Sequence, residues 1–297
     1  MERPILSARG AAGYLEALDN VLLLTHVRPD GDTIGSAAAL CRALRDCGQT
    51  AYLLPNPEIT ATYAPYAAPY WAPEGWQAEH IVSVDIADAS LLPENAQPYR
   101  DRIELAIDHH PSQTFFARNT CLEADSAACG EIVYEIIQHL TALTADIALP
   151  LYVAVSTDCG GFQYGNTTAR THRIAAALMD VVDVAAVNKA LFRTKSRVRL
   201  AMESRMVADM KLFDHQRVVV MEIPLSLRQE MQATDADIEE LSALPALVEG
   251  TDCGVTLREL RPGTVKVSVR TGPRVDACAL CRILGGGGHH AASGATV

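Results

Sequence analysis

Histidine and aspartate residues that could bind metal ions are concentrated in four short segments of the chain. The segments are HVRPDGDTIGS from position 26, VSVDIAD around Asp85, DHH at 108–110 and STDCGGF around Asp158. A set of imidazole and carboxylate groups suits ions such as manganese, magnesium or iron better than soft copper. A carboxylate shared by two such ions implies a pair about 3.5–4 Å apart, the spacing used in phosphoester hydrolysis. The predicted metal ligands are His26, Asp30, Asp32, Asp85, His109 and Asp158.

Each of these segments also has a simpler structural interpretation. Pro-Asp-Gly at 29–31 is a common turn, and an aspartate that follows a strand often caps the next helix. Asp30 and Asp32 are two residues apart, so their side chains would point the same way on extended backbone. Taken alone, this first segment fits a site and a turn equally well, and Asp85 alone favours a cap. The metal site is favoured by the combination of all four segments.

Short apolar runs precede these segments and predict the strands that position them. Strands are predicted at 21–25, 51–54, 81–84, 105–107 and 151–155, and helices at 36–47, 131–143 and 171–182. This alternation predicts an α/β fold with a mostly parallel sheet flanked by helices. Ligands of such sheets bind outside the carboxyl ends of the strands. We therefore expect the four segments to converge on one site.

The remaining third of the chain has a different pattern. Strands predicted at 217–222, 254–259 and 265–270 and a helix at 276–284 indicate a smaller α+β domain. A length of 297 residues also fits two domains. We assign residues 1–186 to the domain with the metal site, 187–210 to a helical linker and 211–297 to the second domain, and we expect a cleft between the domains.

Composition and charge limit the function classes that fit this chain. The formal net charge of −11 provides no basic surface for gripping long duplex DNA and favours short ligands. We expect no membrane partner and a cytoplasmic location, because no secretory signal or bilayer-length apolar run is evident. The eight scattered cysteines suit a reducing compartment, and the lone C-x-x-C at Cys278 and Cys281 fits a helix face better than a zinc site.

Five segments of the sequence resemble a known family. HVRPDGDTIGS, VD, DHH and STDCGGF resemble the four motifs of the DHH phosphoesterase superfamily, and GGGGHHAASG resembles the glycine-rich signature of its DHHA1 domain. NTTARTHRIAAAL is also similar to this family. The motifs occur in the family's order along nearly the whole chain, and the compact length resembles the branch of nanoRNases (oligoribonucleases) and pAp phosphatases. The resemblance implies a DHH domain followed by a DHHA1 domain, and manganese-dependent hydrolysis.

The resemblance also implies a role for each matching residue. His26, Asp30 and Asp85 would hold one of two Mn²⁺ ions, for which Mg²⁺ or Co²⁺ could substitute. The second ion would be held by Asp32, Asp85, His109 and Asp158, with Asp85 bridging the pair. His110 would act in catalysis beside Asp85, by contacting the scissile phosphate or protonating the leaving oxygen. The distal part of the substrate would be bound by Arg270, Gly286, Gly287, Gly288 and His289.

Three positions are unusual for the family. Cys129 and Cys159 stand where the family usually carries threonine, and His290 adds an imidazole beside His289. Neither cysteine replaces a metal ligand of the family pattern. The two cysteines bear on substrate preference rather than on the metal site, and the family pattern assigns no role to His290.

The resemblance predicts hydrolysis of short oligoribonucleotides and of 3′-phosphoadenosine 5′-phosphate by a water that two metal ions activate. Two alternatives remain open: a phosphodiesterase of linear or cyclic dinucleotides such as pApA and cyclic di-AMP, and a nucleotide-binding module without catalysis. The complete set of six ligands argues against the second alternative. The sequence leaves monomer and homodimer both open.

We predict that substrate length determines the rate. RNAs of two, five and twenty nucleotides should show kcat/KM falling with length, because the acidic chain has no extended surface that tracks phosphates. Initial rates measured on the three RNAs at one salt concentration check this. Equal kcat/KM for all three, or a preference for the longest, would contradict it.

Overall fold

Two compact units make up the chain in the computed structural model. The structure describes residues 4–288 and 290–297, except the side chains of Glu239 and Glu240. The units are Met1–Arg193 and Thr194–Val297. The boundary between them falls inside the segment 187–210, which the sequence suggested as a linker. A π-helical turn at Lys189–Arg193 ends the first unit, and a new helix opens the second.

A parallel sheet forms the centre of the first unit. Its strands are β1 (Val21–Leu24), β2 (Ala51–Leu53), β3 (His80–Val84), β4 (Ile103–Asp108) and β5 (Asn119–Leu122), in the order β2-β1-β3-β4-β5. Each neighbouring pair runs parallel. The predicted α/β class with a parallel sheet is confirmed.

Helices flank this sheet. They are α1 (Ala8–Glu16), α2 (Gly31–Asp46), α3 (Ala64–Ala67), α4 (Cys129–Leu140), α5 (Ala145–Asp158), α6 (Ala169–Met179) and α7 (Ala185–Asn188). Short 3₁₀ turns occupy Ala68–Tyr70, Ala89–Leu91 and Glu94–Arg102. Val21 and Leu23 of β1 pack with the long helices, whereas Leu22 and Leu24 pack with the 3₁₀ segments on the other face. Burial on both faces explains why the strand sequences are continuous apolar runs.

The predicted strand at 151–155 is wrong. These residues lie in the middle of α5, which includes Pro150 and is buried from Leu151 to Ser156. A fully buried helix is apolar all round, so its sequence lacks the polar face that distinguishes an amphipathic helix from a buried strand. The fifth strand is instead β5, whose Asn119 and Thr120 gave no apolar signal. Asp158 is therefore the last residue of a helix and does not follow a strand.

A mixed sheet forms the second unit. Its strands are β6 (Lys211–Phe213), β7 (Val218–Ile223), β8 (Cys253–Arg261), β9 (Thr264–Thr271), β10 (Gly287–Gly288) and β11 (Ala292–Thr296), in the order β10-β11-β9-β8-β7-β6. Only the β7–β8 pair of this described sheet is parallel. Its helices are α8 (Arg197–Ala208), α9 (Leu225–Glu230), α10 (Asp235–Ile238) and α11 (Ala277–Ile283), with a 3₁₀ segment at Glu239–Leu247. The second unit is thus a smaller α+β domain.

Helices α2 and α5 approach each other closely because glycines line α2 at their contact. A Cβ added to Gly35 would overlap the carbonyl oxygen of Pro150 and the backbone of Ala154. A Cβ on Gly31 would overlap the side chain of Thr157. Both glycines are therefore required by this approach, which sets the spacing between the start of α2 and the end of α5.

We predict that Gly35→Ala destabilises the protein by about 1–3 kcal/mol, because the new methyl group must displace the backbone of α5. Thermal denaturation measures the loss. Gly13→Ala is the matched control, since Gly13 lies in α1 with open space around it; alanine there should leave stability unchanged or raise it by up to about 1 kcal/mol. A Gly35→Ala variant as stable as the wild type would show that the helices can separate freely.

Candidate metal centre

The first predicted segment leaves β1 and turns into α2 at Asp30, the N-cap residue of that helix. Oδ1 of Asp30 accepts hydrogen bonds from the backbone N–H groups of Asp32 at 3.0 Å and Thr33 at 3.2 Å. The same oxygen lies 3.6 Å from Nε2 of His26. The sequence left a helix-capping turn and a metal site as alternatives for this segment. Asp30 serves the turn as N-cap and also faces His26, so the two interpretations are compatible.

The His26 ring is oriented by the backbone. Its Nδ1 lies 2.7 Å from the carbonyl oxygen of Val27, to which it donates. The hydrogen bond leaves the lone pair on Nε2, the tautomer used by metal-binding histidines. Nε2 faces Asp30 and Asp85, whose nearest oxygens are 3.6 and 3.7 Å away. A lone pair and two carboxylates facing one another form a set that a cation would stabilise.

A second imidazole is arranged in the same way. His109 Nδ1 lies 3.0 Å from the carbonyl oxygen of Ser126, so Nε2 again carries the lone pair. This Nε2 lies 3.6 Å from Asp85 Oδ1 and 3.8 Å from the nearest oxygens of both Asp32 and Asp158. Two atoms bound to one cation at about 2.1 Å are separated by about 3.0 Å at a right angle and about 4.2 Å when opposite. All these distances fall within that range.

Asp85 lies between the two imidazoles. Its Oδ2 faces His26, and its Oδ1 faces His109 and His110. The residue is 3% exposed, and Oδ1 is buried without a hydrogen-bond partner. Its φ of +60° is left-handed, a conformation that non-glycine residues adopt mainly where the surrounding structure holds them. A buried, unpartnered carboxylate oxygen directed at an imidazole lone pair is the arrangement that a bridging metal ligand requires.

Asp32 is fixed by hydrogen bonds from two helices. Its oxygens accept from Ser36 Oγ in α2 at 3.0 Å and from the backbone N–H groups of Cys129 and Gly130 at 2.7 and 2.9 Å. These N–H groups open α4, where the helix dipole also favours a negative charge. Cys129 therefore acts through its backbone, and its fully buried thiol donates to the carbonyl of Ile107. This explains how the position tolerates a cysteine.

Asp108, the first residue of the DHH segment, has a role that sequence reasoning missed. It ends β4, is fully buried, and accepts from the backbone N–H groups of His109 and His110 at 2.9 and 3.2 Å. It also accepts from His110 Nδ1 at 2.8 Å and from Gln113 at 2.7 Å. Asp108 therefore orients both histidines. Its place at the end of a buried apolar strand was the available signal.

A network around Arg170 was also missed. Arg170 donates to Glu123 and to Ser126 Oγ, each at 3.0 Å. Buried Glu131 accepts from Thr171 Oγ1 at 2.6 Å. The network holds the loop whose Ser126 carbonyl orients His109. Arg170 and Thr171 belong to the segment NTTARTHRIAAAL, Glu131 to α4, and Glu123 and Ser126 to the loop between β5 and α4. The buried polar side chain of Glu131 in an otherwise apolar helix was the overlooked signal.

Burial and mutual repulsion raise the pKa of three aspartates in this site. Burial, and then the charges of Asp32 and Asp30, raise the pKa of Asp85 well above its usual value. Burial and the same two carboxylates raise the pKa of Asp158 to about 8. Burial is also the main reason that the pKa of Asp32 is raised. Such a site favours protons or cations, and divalent cations fit its nitrogen and oxygen donors.

Among the described residues, the candidate metal-binding groups all lie in the first unit. They are His26–Asp30–Asp85, Asp32–His109–Asp158 and Asp85–His109–His110, and the ligand atoms of each lie within 4.8 Å of one another. All six predicted metal ligands are thus brought together, with His110 beside them. Cys278 and Cys281 lie on one face of α11, away from water, and join no such group in the described part of the chain.

The predicted substrate contacts lie in the second unit. Arg270 is on β9 and donates to its neighbour's carbonyl, Val269 O, at 3.1 Å. The N–H of Gly286 donates to the carbonyl oxygen of Cys281 at 2.9 Å. This hydrogen bond caps the C-terminal end of α11. Gly287 and Gly288 form β10 and pair with β11. His289 lies outside the described residues.

No helix in the part of the chain that the structure describes is long and apolar enough to cross a bilayer.

Three comparisons with known proteins identify relatives of this chain. The profile of the DHH family, N-terminal domain, matches residues 20–155. The "bifunctional oligoribonuclease and PAP phosphatase NrnA" of Thermus thermophilus is 32% identical over 295 residues, which cover 97% of this chain and 88% of that protein. An exopolyphosphatase-related protein from Bacteroides fragilis superposes with a TM-score of 0.87 at 21% identity, covering 97% of this chain and 90% of its own.

A solved structure of RecJ from Thermus thermophilus in complex with Mn²⁺ shares the fold more distantly. Its TM-score is 0.50 at 13% identity, and the superposition covers 98% of this chain and 52% of RecJ. The extent of the T. thermophilus NrnA match and the matching domain profile decide the classification. The chain belongs to the DHH phosphoesterase family, and it is a phosphoesterase.

We predict that the metal-free protein loses stability as pH rises from about 5 to 8. The pKa of Asp158 is about 8 in the folded protein, whereas its usual value is 3.8. Between these values the unfolded chain has lost this proton and the folded chain still binds it, so rising pH favours the unfolded chain. The melting temperature of chelator-treated protein measures the effect, and Asp158→Asn should show a smaller decline. Saturating Mn²⁺ should reduce the decline in the wild type. A wild-type melting temperature that rises over this range would contradict the prediction.

Proposed function

We propose that this phosphoesterase hydrolyses short oligoribonucleotides and 3′-phosphoadenosine 5′-phosphate with two Mn²⁺ ions. The observation that carries the proposal is the position of Asp85, whose two oxygens face different imidazoles. One ion would be held by His26, Asp30 and Asp85, and the other by Asp32, Asp85, His109 and Asp158. When bound, two such ions neutralise phosphate charge and make a nucleophilic water available near neutral pH.

His110 is suited to deliver a proton to the leaving oxygen. Burial opposes the charged form of its ring, but the hydrogen bond and the charge of Asp108 outweigh burial and raise the pKa of His110. A raised pKa favours the protonated imidazole, the form that a general acid requires. Since Nδ1 donates to Asp108 at 2.8 Å, Nε2 remains to face the substrate. The ring is 30% exposed, so a substrate can reach it.

Two similar proteins support the proposed substrates and the proposed metal ion. The name of the T. thermophilus relative states both an oligoribonuclease and a PAP phosphatase activity, and that relative aligns with 97% of this chain. The Mn²⁺ in RecJ supports manganese as the ion. We assign the distal substrate contacts to residues 211–297, through Arg270, the strand of Gly287 and Gly288, and His289.

A substrate panel tests the proposal. Purified protein with Mn²⁺ should release phosphate from pAp and mononucleotides from pApA and a five-residue RNA, and should act less well on cyclic di-AMP and pyrophosphate. The same panel with Ca²⁺ should give much lower rates. Pyrophosphate as the best substrate, or full activity after removal of divalent ions, would overturn the proposal.

We predict that Asp85→Asn lowers kcat more than Asp158→Asn, because Asp85 would serve both ions and Asp158 only one. The expected losses are at least about 10³-fold and about 10²-fold, the scale of several kcal/mol of transition-state stabilisation. Asparagine tolerates left-handed backbone, so Asp85→Asn should fold. Steady-state kinetics at saturating Mn²⁺ and thermal denaturation check both points. Near wild-type turnover of Asp85→Asn would refute the bridging role.

A further inference from the structure

An exposed tyrosine lies on the loop that follows the metal-site residue Asp158. Tyr164 is 59% exposed, although its ring is large and mostly apolar. A single exposed aromatic is ordinary on a protein surface. Its setting is not ordinary, because three further features of the loop hold the ring near the backbone of Asp158.

The first feature is the contact of the ring with Gly160. A Cβ added to Gly160 would overlap three atoms of the Tyr164 ring, so the ring lies directly against the glycine backbone. Gly160 also has a φ of +55°, which suits glycine. The backbone thus supports one side of the ring, while most of its surface faces solvent. A supported aromatic ring with a free face is what a stacking partner needs.

The second feature is the attachment of the loop to Asp158. The N–H of Tyr164 donates to Cys159 O at 3.1 Å. Asn166 Nδ2 donates to Asp158 O at 3.1 Å and to Ala127 O at 2.9 Å. Gly160 is two residues from Asp158, so their Cα atoms are at most about 7.6 Å apart. The ring therefore lies within the reach of one nucleotide from the Asp158 backbone.

The third feature is a strained turn. Gly160, Gly161 and Phe162 follow one another with φ values of +55°, +66° and +67°. Left-handed backbone is unfavourable for phenylalanine, and it persists where neighbours hold the residue. The Phe162 ring is held between Tyr152 and His172, at centroid distances of 6.0 and 5.5 Å. The turn directs Phe162 inward and leaves Tyr164 at the surface.

We propose that Tyr164 is a stacking platform for a nucleobase of the substrate. The inference rests on the proposed function, since it requires a substrate that carries a base next to the scissile phosphate. The ring would contribute affinity for any of the four bases, because every base has a π face. It would make the enzyme favour nucleotides over phosphoesters without a base, and would do so without reading sequence.

Kinetics of Tyr164→Ala and Tyr164→Phe test the inference. With pApA as substrate, Tyr164→Ala should raise KM roughly 5- to 100-fold with little change in kcat, the effect of losing one base–aromatic stack. Tyr164→Phe keeps the ring and should resemble the wild type. Phe213→Ala is the control, since Phe213 is a 52% exposed aromatic of the second unit; its KM should not change.

A dinucleotide whose bases are replaced by hydrogen cannot stack on the ring. It therefore distinguishes a loss of stacking from structural damage to the metal site. The wild type and Tyr164→Ala should hydrolyse it with the same kcat/KM, and both should bind Mn²⁺ equally in a titration. An unchanged KM of Tyr164→Ala for pApA, or an equal loss on the base-free substrate, would overturn the inference.

Binding of pAp to the Ca²⁺-loaded proteins, followed by calorimetry, distinguishes this inference from the proposed function. A wild type that hydrolyses no nucleotide refutes the proposed function alone. The weaker binding expected for Tyr164→Ala, again roughly 5- to 100-fold, still decides the role of the ring. Equal pAp affinities of the two proteins would refute the stacking platform.

Discussion

Mutual repulsion of buried carboxylates is the interaction on which the rest of the first unit depends. Asp32, Asp85 and Asp158 approach one imidazole, His109, from three elements, and burial with their neighbours' charges raises the pKa of each carboxyl. Water would normally screen such charges, but Asp32 and Asp85 are almost fully buried. The folded state that holds these carboxylates together is therefore most stable when protons or cations are bound to them.

The surrounding structure is arranged to maintain that unfavourable geometry. Glycines let α2 approach α5, hydrogen bonds from the start of α4 hold Asp32, and buried Asp108 orients the histidine pair. Backbone carbonyls fix the tautomers of His26 and His109. The glycines set the distance between the helices, and each of these hydrogen bonds holds a side chain of the site in one orientation. The site is therefore as rigid as the packing of the helices and strands that carry it.

The sequence was sufficient for the fold class and for the set of residues that converge, but not for how they converge. Apolar runs before His26 and Asp85 mark strands buried on both faces, and the structure has strands there. The run before Asp158 looks the same but is a helix buried all round, which no periodicity reveals. The role of Arg170 escaped notice because its partners Glu123 and Ser126 are 47 and 44 positions away along the chain. Asp108 contacts its own neighbours His109 and His110, but a strand-end aspartate does not by itself show whether it binds a metal or orients other side chains.

The spread of the candidate metal ligands along the chain has a consequence for biosynthesis. His26 and Asp158 are separated by 132 positions, and the carboxylates between them are brought together only by the folded sheet and helices. A nascent chain that has not yet released α5 from the ribosome lacks one of the carboxylates around His109. Metal capture at the proposed site would then be coupled to the completion of the first unit, and scarcity of the ion in the cell would appear as slower maturation of newly made chains.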